Sequence, residues 1–281
     1  MLVQRVLTAL VLVALLLMAL AAERSWPFSL LTLVLIAAAG WEWGRLNQAP
    51  ESLSLAMGSA LAAAGAWAIA QGWTQQSPAL GWWWAAALWL VAGGVALRAG
   101  PMAWPHLPGA LRWGVGVLAL WAAWLALTQA RAVGINFLLS VLCLVWMADV
   151  AAYFGGRTFG RRKLAPSISP GKSWEGVWSG IAGVLLLALF WIWLDRRVAF
   201  DSDSLYSRLQ HSLGWLGGCV ALTALAGLSV VGDLVESLVK RAAGAKDSSR
   251  LLPGHGGVLD RIDALLPVMP AALAIAALGT R

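Results

Sequence analysis

Acidic side chains recur at helical spacing in and just before one charged stretch of the chain, residues 237–263, which lies within apolar sequence. Asp260 and Asp263 are three residues apart, so they share one face if the chain is helical there. Asp233 and Glu236, just upstream, have the same spacing. Carboxylates without His or Cys partners favour a hard cation such as Mg²⁺ over zinc. The spacing therefore indicates a site for a divalent metal ion.

The same stretch carries cations and glycines that would suit an anionic ligand. Its other charged residues are Lys240, Arg241, Lys246, Asp247, Arg250 and Arg261. His255 lies between glycines, and the backbone N–H groups of Gly256 and Gly257 could hold phosphate oxygens. A purely structural interpretation is that the acids only pair with Arg241 and Arg261 at helix ends. The density of charge inside an apolar chain favours a functional site.

Two further candidates lie upstream. The sequence Gly171-Lys172-Ser173 is similar to the end of a phosphate-binding P-loop, but Pro166 stands where that loop needs glycine. We expect Ser173 to cap a helix and Lys172 to lie beside that helix N-terminus, where an anion is favoured. The alternative for Lys172 is an ordinary interfacial lysine. Asp149 is predicted inside a helix, at a depth where a carboxylate needs a partner or a ligand.

The elements that must position these residues are membrane helices. The 281 residues are 60% hydrophobic and 12% charged, whereas a soluble domain has about 25% charged residues. Apolar runs of about 20 residues predict an all-α integral membrane protein with about nine transmembrane helices. The predicted spans are residues 2–20, 26–44, 53–72, 80–97, 111–130, 133–153, 174–194, 213–241 and 262–279.

The distribution of basic residues predicts the orientation of these spans. Fourteen of the twenty Lys and Arg residues fall on the side of the N-terminus and six on the other. The positive-inside rule then places the N-terminus and the polar site in the cytoplasm. Small residues at 19–21 would suit signal-peptide cleavage, but we expect a retained first helix because more spans follow at once. We predict one polytopic domain, 1–281, with N-terminal helices in 1–130 and catalytic helices and cytoplasmic loops in 131–281.

The charged stretch resembles the signature of the phosphatidate cytidylyltransferase (CDP-diacylglycerol synthase) family. The matching residues are Ser237, Lys240, Arg241, Lys246, Asp247, His255, Gly256, Gly257, Asp260, Arg261, Ile262 and Asp263. Residues 149–157 and 169–176 are similar to two other motifs of that family. One departure is Ala148, where many members have Asn, which puts a contact to Asp149 in doubt. Over the first half of the chain the resemblance is general, since it consists only of apolar helices.

The resemblance implies transfer of the cytidylyl group of CTP to phosphatidate, which gives CDP-diacylglycerol and pyrophosphate. It implies that Asp233, Asp260 and Asp263 hold Mg²⁺, with a second cation such as K⁺ possible, and that Lys240 is catalytic. The substrate-binding residues would be Asp149, Lys172, Ser173, Arg241, Lys246, Asp247, His255, Gly256, Gly257 and Arg261. It also implies a homodimer in the bacterial inner (cytoplasmic) membrane, with the lipid bilayer and no nucleic acid as partner.

Two other functions compete with this one. A CTP-dependent polyprenol or lipid kinase would use similar chemistry, and metal-dependent release of pyrophosphate from CTP would separate the two activities. A secondary transporter for an anionic substrate would be expected to carry charges at mid-helix and inverted repeats. Here the charges cluster near one predicted membrane face, which favours the enzyme.

Overall fold

The computed structural model describes residues 2–75 and 79–279, and most of this part of the chain is helical. The helices are α1 Leu2–Ala21, α2 Trp26–Leu46, α3 Glu51–Ala70, α4 Ala79–Leu88, α5 Gly94–Ala99, α6 Gly109–Val133, α7 Ile135–Phe159, α8 Trp174–Asp195, α9 Leu205–Ala242, α10 Leu259–Ile262 and α11 Leu265–Ala276. A π-helical turn, Trp89–Gly93, joins α4 and α5 into one continuous helix.

Seven helices in the described part of the chain are long and apolar enough to cross a membrane: α2, α3, the joined helix at 81–99, α6, α7, α8 and α9. The predicted class, a helical membrane protein with several spans, is therefore confirmed. Helix α1 contributes a shorter apolar segment, Val6–Ala21. Helix α11 has 12 residues, fewer than the roughly 20 that cross the hydrocarbon core of a bilayer.

The segments between the predicted spans 133–153, 174–194 and 213–241, which are residues 154–173 and 195–212, contain regular structure of their own. Within residues 154–173, α7 continues to Phe159, and an antiparallel hairpin follows with strands β1 Lys163–Ala165 and β2 Ser169–Ser173. The sequence did not predict this hairpin, which is a short addition to an otherwise α-helical membrane protein. Within residues 195–212, α9 begins at Leu205 because Ser204 caps it by accepting a hydrogen bond from Ser207 N at 3.2 Å.

Small residues let the helices that carry the candidate site approach closely. A Cβ atom at Gly180 of α8 would lie 2.8 Å from the Ala148 carbonyl oxygen of α7. A Cβ atom at Gly232 of α9 would lie 2.5 Å from the carbonyl oxygen of Asp263. Membrane helices commonly use small residues for such close packing. The second contact brings Asp233 next to the junction between α10 and α11.

The helix ends form two polar surfaces on opposite ends of the bundle. At one end, Trp104 Nε1 donates to Asn47 Oδ1 at 2.8 Å, and the end of α2 meets the start of α10. We call this end the charged face, since it also holds residues 154–173 and 237–263. At the other end, Asn136 Nδ2 donates to Asp195 Oδ1 at 3.0 Å. The successive long helices run alternately between these two ends.

Candidate active site

An ion pair between Lys172 and Asp233 lies at the centre of the charged face. Lys172 lies near the end of strand β2, just before α8, whereas Asp233 belongs to α9. Asp149 of α7 and Asp263 at the end of α10 interact electrostatically with both members of the pair. Three acids from three parts of the chain therefore surround one ammonium group.

The local sequence explains why Lys172 points into this group. Ser173 is buried and accepts a hydrogen bond from Gly176 N at 3.2 Å, so it caps α8 as predicted. The hairpin before it is fixed by Glu175, whose carboxylate accepts from the backbone N–H groups of Arg161 and Arg162 at 3.1 and 3.2 Å. In this structure the Lys172 ammonium group pairs with the carboxylate of Asp233.

A second charged cluster lies around Lys240. Its ammonium group is 2.5 Å from Glu236 Oε2 and 2.7 Å from Asp260 Oδ1. The other oxygen of Asp260 accepts from Ser248 N at 2.9 Å, from Ser248 Oγ at 2.9 Å and from Gly257 N at 2.8 Å. Burial disfavours the charged form of Asp260, but the hydrogen bonds from Lys240, Gly257 and Ser248 outweigh it and lower the pKa of this carboxyl group.

Glu42 is a site residue that the sequence reasoning missed. It lies near the end of α2, is fully buried, and accepts hydrogen bonds from Val258 N at 2.9 Å and Leu259 N at 2.7 Å. The hydroxyls of Ser248 and Ser249 donate to it at 3.1 and 2.5 Å. In the sequence it stands between two tryptophans and only suggests a charge at a membrane interface. Its burial could not be seen from that context.

The remaining predicted ligands are engaged mainly with the backbone. Arg241 Nε donates to the Ile168 carbonyl at 3.3 Å, and Arg261 donates to the His255 carbonyl at 3.1 and 2.5 Å. The Nδ1 atom of His255 is buried and has no hydrogen-bond partner among the described residues. Within the same residues, neither Arg241 nor Arg261 forms an ion pair with a carboxylate. The interpretation that these arginines neutralise the acids is therefore wrong, since Lys172 and Lys240 do so.

A cavity of about 540 Å³ opens between α7, α8 and α9. Its lining includes the charged residues Asp149, Arg157, Lys172 and Asp233 and the apolar residues Ile181 and Val230. The exposed indoles of Trp174 and Trp178 lie on α8. A lining that combines charged and apolar side chains suits an amphipathic ligand with an anionic head.

A second cavity of about 560 Å³ lies on the outer side of the loop that follows α9. Its lining residues include Arg45 from the end of α2 and, from the loop, Lys246, Asp247, Ser249 and Arg250. Three cationic side chains around one open cavity suit a polyanion. The predicted residues Lys246 and Asp247 thus lie together, and they line a different cavity from Lys172.

The carboxylates around Lys172 have the chemistry of a hard-cation site. Asp149, Asp233 and Asp263 supply oxygen donors, and their mutual repulsion is relieved by the Lys172 ammonium group. In the described part of the chain, no three His, Cys, Asp or Glu side chains are already arranged to hold a metal ion. Both oxygens of Asp260 are occupied by protein donors. Carboxylate oxygens are the kind of donor that Mg²⁺ prefers, so the three aspartates near Lys172 fit this ion by their chemistry.

The fold and the site together define a polytopic helical protein with a charged site at one end of its bundle. The chain belongs to the cytidylyltransferase family, whose profile matches residues 3–278. Regions of three curated proteins are similar to it. A phosphatidate cytidylyltransferase from Haemophilus influenzae is 47% identical over 137 residues, which are 49% of this chain and 44% of that protein.

Two further relatives extend the comparison. A phosphatidate cytidylyltransferase from Pseudomonas aeruginosa is 42% identical over 166 residues, 58% of this chain and 56% of that protein. The uncharacterized protein YnbB from Escherichia coli is 34% identical over 186 residues, 64% of this chain and 57% of that protein. The matched region spans about half the length of each of these relatives.

Proposed function

We propose that this protein is a phosphatidate cytidylyltransferase, which transfers the cytidylyl group of CTP to phosphatidate and releases pyrophosphate. The observation that carries the proposal is the cavity at Lys172, whose lining combines charged and apolar side chains. A lipid phosphate requires this combination, because its headgroup needs cations and its acyl chains need apolar surface. The family and the two relatives named phosphatidate cytidylyltransferase support the same reaction.

The lipid phosphate would bind at Lys172, and the nucleotide would approach from the cavity lined by Arg45, Lys246 and Arg250. The attacking group is the phosphate of phosphatidate, which is already ionised near neutral pH, so no serine or cysteine nucleophile is needed. The barrier is mainly the repulsion between two anions and the charge that develops on the leaving pyrophosphate. Cationic side chains on both sides reduce this repulsion.

Mg²⁺ would be held by Asp233 and Asp263, with Asp149 close by. When bound, the ion neutralises charge on the phosphates during transfer. Asp260, the third predicted ligand, would have to exchange its contacts with Lys240 and Ser248 before it could join the ion. In its present position Asp260 orients Lys240 and the loop that contains Ser248 and Gly257. A second cation, such as K⁺, remains part of the proposal on the strength of the family resemblance.

We further propose nine spans, among them α1, the joined α4–α5 helix and residues 262–279, which include α11 and the turns on either side of it. The charged face would then lie on the cytoplasmic side of a bacterial inner membrane. The excess of basic residues on that side supports this orientation. The homodimer implied by the family resemblance is also proposed, and the mass of the detergent-solubilised protein tests it.

The reaction can be tested with CTP labelled at either its α- or its γ-phosphate. Cytidylyl transfer moves the α-label into the lipid phase when phosphatidate is supplied. A CTP-dependent kinase would move the γ-label instead, and a transporter would move neither. Recovery of α-label in CDP-diacylglycerol supports the proposal, whereas γ-label in the lipid phase would replace it with the kinase.

A further inference from the structure

Glu42 joins the N-terminal helices to the loop that carries much of the charged stretch. Each of its carboxylate oxygens accepts two hydrogen bonds, Oε1 from Val258 N and Ser249 Oγ, and Oε2 from Leu259 N and Ser248 Oγ. The side chain is fully buried, and no ion pair to it exists among the described residues. A buried carboxylate held only by neutral donors is costly unless every donor is well placed.

The loop closes tightly around this carboxylate. A Cβ atom at Gly257 would lie 2.5 Å from Glu42 Oε1 and 2.0 Å from Ser248 Oγ, so no side chain fits at that position. Gly256, beside it, has a φ of +83°, which residues other than glycine rarely adopt. The two glycines predicted to bind phosphate therefore shape the loop around Glu42 in this structure.

Ser248 connects Glu42 to the cluster around Lys240. Its hydroxyl lies 3.1 Å from Glu42 Oε2 and 2.9 Å from Asp260 Oδ2, and its single proton can serve one carboxylate at a time. Its backbone N–H also donates to Asp260. A continuous network of polar contacts thus runs from Glu42 through Ser248 and Asp260 to Lys240. Displacement of the loop from Glu42 would remove donors from Asp260 and change the position of the Lys240 ammonium group.

We propose that Glu42 is a positioning residue for nucleotide binding in the proposed reaction. It fixes the loop of residues 248–259 against the end of α2 and so holds Lys246, Asp247 and Arg250 around their cavity. Arg45, one turn further along α2, lines the same cavity. Helix α2 therefore contributes to the site from the half of the chain where the sequence showed only apolar helices. This role rests on the proposed function, because its kinetic consequence concerns CTP.

The test compares Glu42→Gln with Glu23→Gln in the intact protein. The amide group introduced by Glu42→Gln would present an N–H group to backbone donors, whereas Glu23 is exposed in the segment between α1 and α2 and serves as the matched control. We expect Glu42→Gln to raise the KM for CTP at least tenfold, which is the scale of one hydrogen bond to a charged group. The KM for phosphatidate should stay within about twofold of the wild-type value. The control should leave both values unchanged.

Hydrogen exchange supplies a readout that does not depend on activity. In Glu42→Gln, the amides of Val258 and Leu259 should exchange at least tenfold faster than in wild type. Ser249→Ala removes one donor and keeps the carboxylate, so it should raise the exchange rates and the KM for CTP by smaller factors. This variant replaces Glu42→Gln in the test if Glu42→Gln does not fold. Unchanged exchange at both amides, or equal changes in both KM values, would overturn the positioning role. If the wild-type protein transfers no cytidylyl group, the proposed function is refuted instead. Hydrogen exchange at Val258 and Leu259 would still test whether Glu42 holds the loop.

Discussion

The Lys240 ammonium group lies 2.7 Å from Asp260 Oδ1 and so joins the last turns of α9 to α10 across the charged face. The side chain of Lys240 is 13% exposed, and Glu236, its second partner, is 2% exposed. Removal of one partner from such a buried pair costs about 3–5 kcal/mol, because the other charge loses its compensation.

Lys240→Met should therefore lower the melting temperature of the purified protein and abolish turnover. The double variant Lys240→Met/Glu236→Gln removes the uncompensated acid as well and should recover much of the lost thermal stability. It should remain inactive if Lys240 is catalytic. Recovery of activity together with stability would show that the lysine only neutralises Glu236.

Lys172→Ala tests the assignment of the lipid phosphate. Loss of one charge-assisted contact to phosphate costs about 1.5–3 kcal/mol, or roughly ten- to more than a hundredfold in kcat/KM. The apparent affinity for phosphatidate should fall more than that for CTP. Lys163→Ala is the matched control, since Lys163 lies in the same hairpin, is exposed, and its Nζ donates to the Pro170 carbonyl at 2.8 Å. If only the CTP constant changes, the two substrate sites must be exchanged.

Asp263→Asn tests the metal site. The substitution keeps the shape of the side chain and removes the charge that, with Asp233, would attract Mg²⁺. Turnover should be lost at ordinary Mg²⁺ concentrations, and binding of Mn²⁺, measured by its electron paramagnetic resonance signal, should weaken. Asp203→Asn, an exposed acid at the opposite end of the bundle, should change neither quantity. Turnover within a factor of two of wild type would remove Asp263 from the metal site.

Orientation can be measured with a cysteine placed at Arg161, an exposed position in the segment between α7 and the hairpin. The two native cysteines, Cys143 and Cys219, are first replaced. The new thiol should resist an impermeant reagent in intact cells and react after lysis, because the charged face is proposed to be cytoplasmic. Ready labelling in intact cells would reverse the orientation.

The local features of the chain could be predicted from the sequence, because they depend on neighbouring residues. The helices follow the apolar runs closely, as in α8, predicted at 174–194 and observed at Trp174–Asp195. The capping role of Ser173 was also predictable, since it depends on one turn of chain. The hairpin was not predicted, because Pro166 and Pro170 in its segment are typical of an irregular loop.

The long-range contacts of the site could not be predicted in the same way. The pair Lys172–Asp233 joins residues 61 apart, and Glu42 meets Ser248 across 206 residues. Asp260 and Asp263 have the spacing of a shared metal site, but in the structure Asp260 contacts Lys240 and Asp263 interacts with Asp233. Spacing along one segment predicts which residues share a helix face. The packing of other helices determines which side chains contact that face.

In the proposed reaction, the phosphate of phosphatidate attacks CTP at this charged face. The most direct measurement is release of pyrophosphate from CTP by the purified protein, with phosphatidate and Mg²⁺ each supplied or omitted. We expect release only when both are present, with one CDP-diacylglycerol formed for each pyrophosphate. Release without phosphatidate, or formation of CDP and a newly phosphorylated lipid, would contradict the claim.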